Sequence, residues 1–223
     1  MFLSIDNVLT AVELAELSAA LAGGRFEDGR TTAGWNARLV KNNLQLEPKS
    51  DKANALREMV TNALFRNGPF NLAVRPKLMR PVMFTRYEPG MEYGLHVDDP
   101  MMGGPPAMRS DVSFTLFLSA PADYDGGELI IHTHGQNLSF KPPAGSLVLY
   151  PSTTMHRVAP ITRGVRLAAV SWVQSIVRDA EQREILYDLD MARRENFDAH
   201  GKTREFDLMT KAFANLLRRW GEP

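Results

Sequence analysis

The sequence predicts an α+β fold: a double-stranded β-helix, or jelly roll, with helices flanking it at the N- and C-terminal ends. Two observations predict this. From about Leu78 to Val177 the chain breaks into roughly eight short strand-like segments, MRPVMFTRYEP, YGLHV, DVSFTLFLSAP, GELIIHTH, NLSFKP, GSLVLYP, MHRVAPI and VRLAAVSWVQ, with Gly, Pro, Asp or Asn in most of the gaps. Repeated short strands at this spacing fit a sandwich or barrel, and about eight of them fit a jelly roll. On either side the apolar residues return at helical spacing instead. The expected organisation is therefore residues 1–77 as helices and strands packing on the core, 78–177 as the jelly-roll domain, and 178–223 as a helical extension.

Composition narrows the class. A length of 223 residues suits one large domain or two small ones and can bury a sizeable core. With 44% hydrophobic and 23% charged residues the chain reads as soluble and globular. A formal net charge of zero leaves no basic footprint for nucleic acid. No apolar run approaches a membrane span, and MFLSIDNVL has neither a basic region nor a cleavage-like site, so neither a membrane partner nor a signal peptide is expected. The absence of cysteine rules out disulfides and thiolate metal sites, and a cytoplasmic location is expected. Any metal must then sit on His, carboxylate or backbone oxygen.

In chain order, Thr10-Ala11-Val12-Glu13 is a capping box opening a helix with Leu14, Leu17 and Leu21 on one face, ended by Gly23-Gly24. Residues 25–34, rich in Gly, Arg and Thr, read as loop. Leu39 to Leu46 reads as a strand whose apolar pattern is interrupted by Asn42 and Asn43. A second helix is expected from Ser50, as N-cap, to Arg66. Its buried stripe is Ala53, Leu56, Val60 and Leu64, and its stop is Asn67-Gly68-Pro69. Asp99 to Ser110, DPMMGGPPAMRS, is a long connection rich in Pro, Gly and Met and reads as a lid over a site. After Val177, Ile185, Leu189 and Ala192 form one helical stripe. Gly201 breaks the helix, and Phe206, Met209, Phe213, Leu216 and Trp220 form a second stripe suited to packing on the sheet or on a second copy of the chain.

The chemistry concentrates in Arg86 to Asp98, RYEPGMEYGLHVD. In extended backbone residues i and i+2 project the same way, so His96 and Asp98 can grip one metal ion side by side. Alone the pair is weak: five His and 13 Asp in this chain give about 0.3 such pairs by chance. Its weight comes from His156, in a late strand, since a jelly roll pairs strands distant in sequence. Two histidines and one carboxylate form the facial triad of non-haem Fe(II) oxygenases, which leaves positions open. Arg166 follows ten residues later, where a strand should begin. A guanidinium inside a β core asks for an anionic partner, and a dicarboxylate that also chelates the iron, 2-oxoglutarate, answers that demand. His132 and His134 form a competing His-x-His pair but lack the flanking pattern. His200 reads as surface, Asp99 as a turn residue of the lid, Tyr93 as a core aromatic, and Arg86 and Arg109 as solvated charges.

These residues resemble the Fe(II)/2-oxoglutarate dioxygenases of the prolyl-4-hydroxylase type, and most closely the bacterial PKHD-type hydroxylases. The resemblance rests on Y-x-x-G-x-x-Y-x-x-H-x-D, the distant His and the Arg ten later, on VKNNLQL (Val40 to Leu46), DGGEL from Asp125 and PAGSLVLYPSTTMHRVAPITRGVR, and on the C-terminal helices. It implies His96, Asp98 and His156 as catalytic iron ligands, Arg166 as anchor of the distal carboxylate of 2-oxoglutarate, and Tyr87 as its hydrogen-bonding partner. It implies Fe(2+), 2-oxoglutarate and O2 as cofactors, with L-ascorbate as an accessory reductant, and hydroxylation with release of succinate and CO2. Some relatives are associated with iron uptake, so a non-catalytic iron or 2-oxoglutarate sensor is the alternative. The substrate, small molecule or peptide, is not identified by the residues. One departure is Ala168, where many relatives in the wider superfamily place a serine two residues after the arginine.

Overall fold

The structure, a computed structural model, describes residues 1–48 and 51–222. All eight strand-like segments become strands: Met83–Tyr87, Glu92–His96, Val112–Phe117, Leu129–His132, Asn137–Phe140, Leu147–Pro151, His156–Val158 and Arg166–Ser175. They divide between two antiparallel sheets. The larger runs in the order Leu3–Ile5, Leu147–Pro151, Val112–Phe117, Arg166–Ser175, Met83–Tyr87, Leu44–Leu46, Phe26–Asp28, with Pro76–Met79 paired to the far end of Arg166–Ser175. The smaller runs Asn137–Phe140, Leu129–His132, His156–Val158, Glu92–His96, Lys41–Asn42. Residues from both sheets line one cavity, which therefore lies between them.

The central strand Val112–Phe117 is buried along its whole length. Its even-numbered residues Val112, Phe114 and Leu116 join the main apolar core, and Ser113 and Thr115 face the cavity. A period of two with both faces covered explains a continuous run without surface polarity. The outer face is covered by the helices Ala11–Ala22, Asp51–Arg66 and Gly68–Val74. Ala53, Leu56, Val60 and Leu64 are buried there, at the spacing expected of one helix face. Thr10 and Glu13 form the capping box in full. The proposed N-cap Ser50 lies outside the described residues.

Four expectations need correction. Residues 25–34 are not all loop: Phe26–Asp28 is an edge strand and Gly29–Thr32 a short 3-10 turn. Leu39 to Leu46 is not one strand but two, Lys41–Asn42 in the smaller sheet and Leu44–Leu46 in the larger. Asn43 marks the crossing between them. Asn67 ends one helix and starts the next, because its Oδ1 accepts from Phe70 N at 2.9 Å and caps Gly68–Val74.

The fourth concerns the helix Ala180–His200, whose buried face is Arg183, Leu186 and Asp190, while Ile185 is exposed. Arg183 donates to the carbonyls of Val177 and Arg178 at 2.8 Å and of Asp111 at 3.3 Å. Asp190 accepts from Arg193 and Arg194. Polar side chains satisfied in this way can sit on the inner face, which rotates the apolar stripe outward. The stripe of Arg204–Trp220, from Phe206 to Trp220, is half-buried. It packs on Ala180–His200 through Phe206 against Phe197, 5.0 Å between centroids, and lays Phe213 under Arg193 at 4.5 Å. Among the described residues no helix is long and apolar enough to cross a membrane.

Candidate active site

His96 ends the strand Glu92–His96, and His156 begins the strand His156–Val158. The two strands pair antiparallel with His156 directly opposite His96, and the rings lie 4.3 Å apart. Asp98 follows two residues after His96, with its carboxylate 4.0 Å from Nε2 of His96 and 3.9 Å from Nε2 of His156. One ligand atom from each of the three lies within 4.8 Å of the others. Each imidazole is oriented from behind: Nδ1 of His96 meets Gly94 O at 2.8 Å, and Nδ1 of His156 meets Thr154 O at 3.0 Å. Only a protonated Nδ1 can donate to a carbonyl, so both Nε2 lone pairs point to the shared centre. Burial, and then the neighbouring His156, lower the pKa of His96 to about 4, which keeps it a neutral ligand. Asp98 is held by Ser113, whose hydroxyl donates at 2.5 Å and meets Ser152 at 2.8 Å.

Arg166 opens the long strand Arg166–Ser175 directly opposite Tyr87. It is 1% exposed, with its guanidinium between the rings of Tyr87 at 5.3 Å and Phe117 at 5.0 Å. Among the described residues its Nε and Nη2 make no hydrogen bond of full geometry, and neither does the hydroxyl of Tyr124, which approaches the guanidinium. Burial raises the pKa of Tyr87, opposed by the adjacent Arg166 charge. A desolvated cation without a counter-charge is costly by several kcal/mol. The site is therefore built for an anion.

The cavity, about 430 Å³, is lined by His96, Asp98, His156, Tyr87 and Arg166 together. That volume is in the range of small-molecule sites. Tyr93, expected as a core aromatic, instead stacks on His96 at 3.6 Å between centroids and lines the cavity. His132 and His134 are not brought to it, and His200 is exposed. Arg86 and Arg109 are paired with Glu88 and Asp111, both at 2.7 Å. Residues 99–110 form a hairpin, Met101–Met102 against Met108–Arg109, whose near strand borders the cavity. Tyr150, tilted against His156 at 4.8 Å, and the buried Lys41, Asn43 and Gln45 also line it. Sequence reasoning passed over all four. The signal for the last three was polar residues at i, i+2 and i+4 in an extended stretch.

The donor set fits the implied cofactors. Two neutral imidazoles and one carboxylate on one side of a centre suit a divalent iron with open positions. The orphaned Nε and Nη2 of Arg166 suit the far carboxylate of a dicarboxylate.

Fold and site define a class that the comparisons bear out: residues 82–174 match the 2OG-Fe(II) oxygenase superfamily. Two solved structures share the fold. A prolyl hydroxylase from Trichoplax adhaerens, in complex with a hypoxia inducible factor oxygen degradation domain peptide fragment, aligns with TM-score 0.57 at 20% identity, covering 82% of this chain and 86% of that one. A Pseudomonas putida prolyl-4-hydroxylase aligns with TM-score 0.51 at 22% identity, covering 78% and 92%. Residues 180–222 match the PKHD-type hydroxylase C-terminal domain. A PKHD-type hydroxylase of Acaryochloris marina is 55% identical over 222 residues, 100% of both chains. The chain belongs to the PKHD-type hydroxylase family and is a 2-oxoglutarate-dependent hydroxylase. Membership implies Fe(2+), 2-oxoglutarate and O2.

Proposed function

We propose that this chain hydroxylates a C–H bond of a small substrate in the cavity between the sheets, with His96, Asp98 and His156 holding Fe(II) and Arg166 and Tyr87 holding 2-oxoglutarate. The observation that carries the reading is the pairing, in one cavity, of a ligand triad with a buried and uncompensated guanidinium. When bound, iron and 2-oxoglutarate supply the oxidation: O2 is consumed, 2-oxoglutarate becomes succinate and CO2, and the substrate gains a hydroxyl. The protein's own residues supply position and environment. His96 and His156 present neutral nitrogens fixed by backbone carbonyls, and Ser113 fixes the Asp98 carboxylate. Arg166 fixes one end of the co-substrate, so the other end is delivered to the triad in one orientation. The Tyr87 and Phe117 rings keep water from the guanidinium and strengthen its hold on a carboxylate.

Anaerobic titration of the apo-protein with Fe(II) and 2-oxoglutarate tests this. A weak visible charge-transfer band that needs both components and vanishes in Arg166→Ala, followed by succinate release on admitting O2, is the expected result. A band unaffected by Arg166→Ala would refute the co-substrate assignment. Iron binding abolished by His132→Ala and retained by His156→Ala would refute the ligand set.

A further inference from the structure

The wall of the cavity formed by Val40 to Leu46 is unlike the rest of the interior. Lys41, Asn43 and Gln45 are 6%, 3% and 7% exposed and all face the cavity. Their polar atoms are only partly satisfied. The Lys41 ammonium donates to Thr32 Oγ1 at 3.1 Å, and that hydroxyl donates to Gln45 Oε1 at 2.8 Å. Gln45 Nε2 has no partner among the described residues. The Asn43 amide approaches Tyr87, but neither its nitrogen nor its oxygen makes a hydrogen bond of full geometry. Buried polar groups are nearly always hydrogen-bonded, so three such side chains within five residues, where the chain crosses from one sheet to the other, all lining one cavity, mark a surface made for a ligand.

Charge says what kind of ligand. The Lys41 ammonium lies 5.2 Å from the ring centroid of Tyr93, which itself stacks on His96. It has no carboxylate within ion-pair distance among the described residues, although an ammonium carries three donors. Burial lowers its pKa to about 8, opposed by the more distant Asp98 and Asp28. Arg80, half-buried at the mouth, likewise has no ion-pair partner among the described residues. The cavity lining holds four cationic side chains, Lys41, Arg57, Arg80 and Arg166, against two carboxylates, Asp98 and Asp99. The chain as a whole is neutral. Asp98 belongs to the metal triad, so the excess is larger for whatever else enters.

We propose that Lys41, Asn43 and Gln45 are the substrate-recognition wall, and that the substrate is a small carboxylic acid carrying an amide. Its carboxylate meets the Lys41 ammonium, its amide meets Asn43 and Gln45, and Arg80 draws the anion to the mouth. This rests on the reading of the chain as a 2-oxoglutarate-dependent hydroxylase. An ammonium buried over the Tyr93 ring is stabilised by an anion and not by a neutral or cationic group, while side-chain amides are matched by another amide's donor and acceptor.

The full chain is loaded with redox-inert Ni(II) and saturating 2-oxoglutarate, whose binding is measured first. It is then titrated, by saturation-transfer NMR, with N-acetyl amino acids and with the uncharged amides of the same compounds. The acids are expected to bind and their amides to bind about tenfold more weakly or not at all. Lys41→Met keeps the stem against Tyr93 and removes the charge. It should weaken the acids about tenfold while leaving 2-oxoglutarate affinity within about twofold. Arg80→Gln, at a half-buried position, should give a smaller loss and carries the test if Lys41→Met fails to fold. Acids that bind no better than their amides, acids that bind Lys41→Met as well as the unaltered chain, or loss of 2-oxoglutarate in Lys41→Met would each overturn the proposal with the hydroxylase reading intact. No binding of 2-oxoglutarate to the unaltered chain would overturn both.

Discussion

Arg166 and Tyr87 lie directly opposite each other across an antiparallel strand pair, with the guanidinium 5.3 Å from the centre of the ring. Nothing anionic offsets that buried cation among the described residues, so it weighs on the apo-protein. Replacing a buried uncompensated charge by an apolar side chain of similar length is commonly neutral or stabilising, by about 1–4 kcal/mol. Arg166→Met should therefore leave the apo-protein as stable as the parent or more so. It should also abolish the stabilisation that 2-oxoglutarate adds to that of Ni(II) in the parent, while leaving that of Ni(II) alone. Thermal unfolding with and without the two ligands decides. A destabilised apo variant that still responds fully to 2-oxoglutarate would make Arg166 a structural residue.

The Ser113 hydroxyl donates to Asp98 Oδ2 at 2.5 Å and so fixes the rotation of the carboxylate, whose Oδ1 stands 4.0 Å from Nε2 of His96 and whose Oδ2 stands 3.9 Å from Nε2 of His156. Partners of this kind commonly contribute about 10- to 100-fold in metal affinity. Ser113→Ala should lower Ni(II) affinity about tenfold, and Asp98→Ala, which removes a charged ligand, should lower it further. His132→Ala should leave it unchanged, since His132 is not in the cluster. Calorimetric titration checks all three, and unaltered affinity in Ser113→Ala would show that Asp98 needs no such partner.

What could be read in the sequence was whatever follows from period and punctuation. All eight core strands, the Thr10–Glu13 cap and the Phe206 to Trp220 stripe are local patterns, and His96, Asp98, His156 and Arg166 fall at strand ends that such patterns locate. The illegible parts are polar residues whose role depends on what packs around them. Asn43 looks like a strand interruption until the cavity between the sheets is known. Arg183 and Asp190 look like the wet face of a helix until the Val177 carbonyl and Arg193 are found beside them. Asn67 reads as a stop signal because capping the next helix uses the same residue type.

The helices Ala11–Ala22 and Asp51–Arg66 are tied by a two-pronged ion pair, Arg66 donating to the Glu13 carboxylate at 2.6 and 2.5 Å. That guanidinium holds the Glu13 pKa at about 2, below the ordinary 4.5. A lowered carboxylate pKa adds stability that is complete above about pH 4.5 and is lost as pH falls through about 2. Arg66 is 45% exposed, so solvent screening limits the contribution to about 1 kcal/mol. In urea unfolding from pH 5 to pH 2, Glu13→Gln should be less stable than the parent at pH 5 and converge with it at pH 2. A constant difference across that range would place the effect in the capping box and not in the ion pair.

Gly127 lies against the stem of Arg166. Its φ is +67°, and a Cβ there would stand 2.4 Å from Ile161 Cδ1, 2.9 Å from Arg166 Cδ and 3.0 Å from Tyr124 Cε2. Two penalties combine in Gly127→Ala: a left-handed backbone that favours glycine, and overpacking against a buried arginine, together about 2–3 kcal/mol. The Ile161 methyl, at the end of a flexible side chain, can swing away, but the 2.9 Å approach to Arg166 Cδ is relieved only by shifting the arginine side chain itself. The displacement should therefore pass to the guanidinium and weaken 2-oxoglutarate about tenfold while leaving Ni(II) affinity within about twofold. Gly135→Ala is the control, since a Cβ there meets nothing within 4 Å. Equal loss of metal and 2-oxoglutarate affinity in Gly127→Ala would mean general unfolding of the site. Loss confined to 2-oxoglutarate would tie the glycine to the anchoring of its carboxylate.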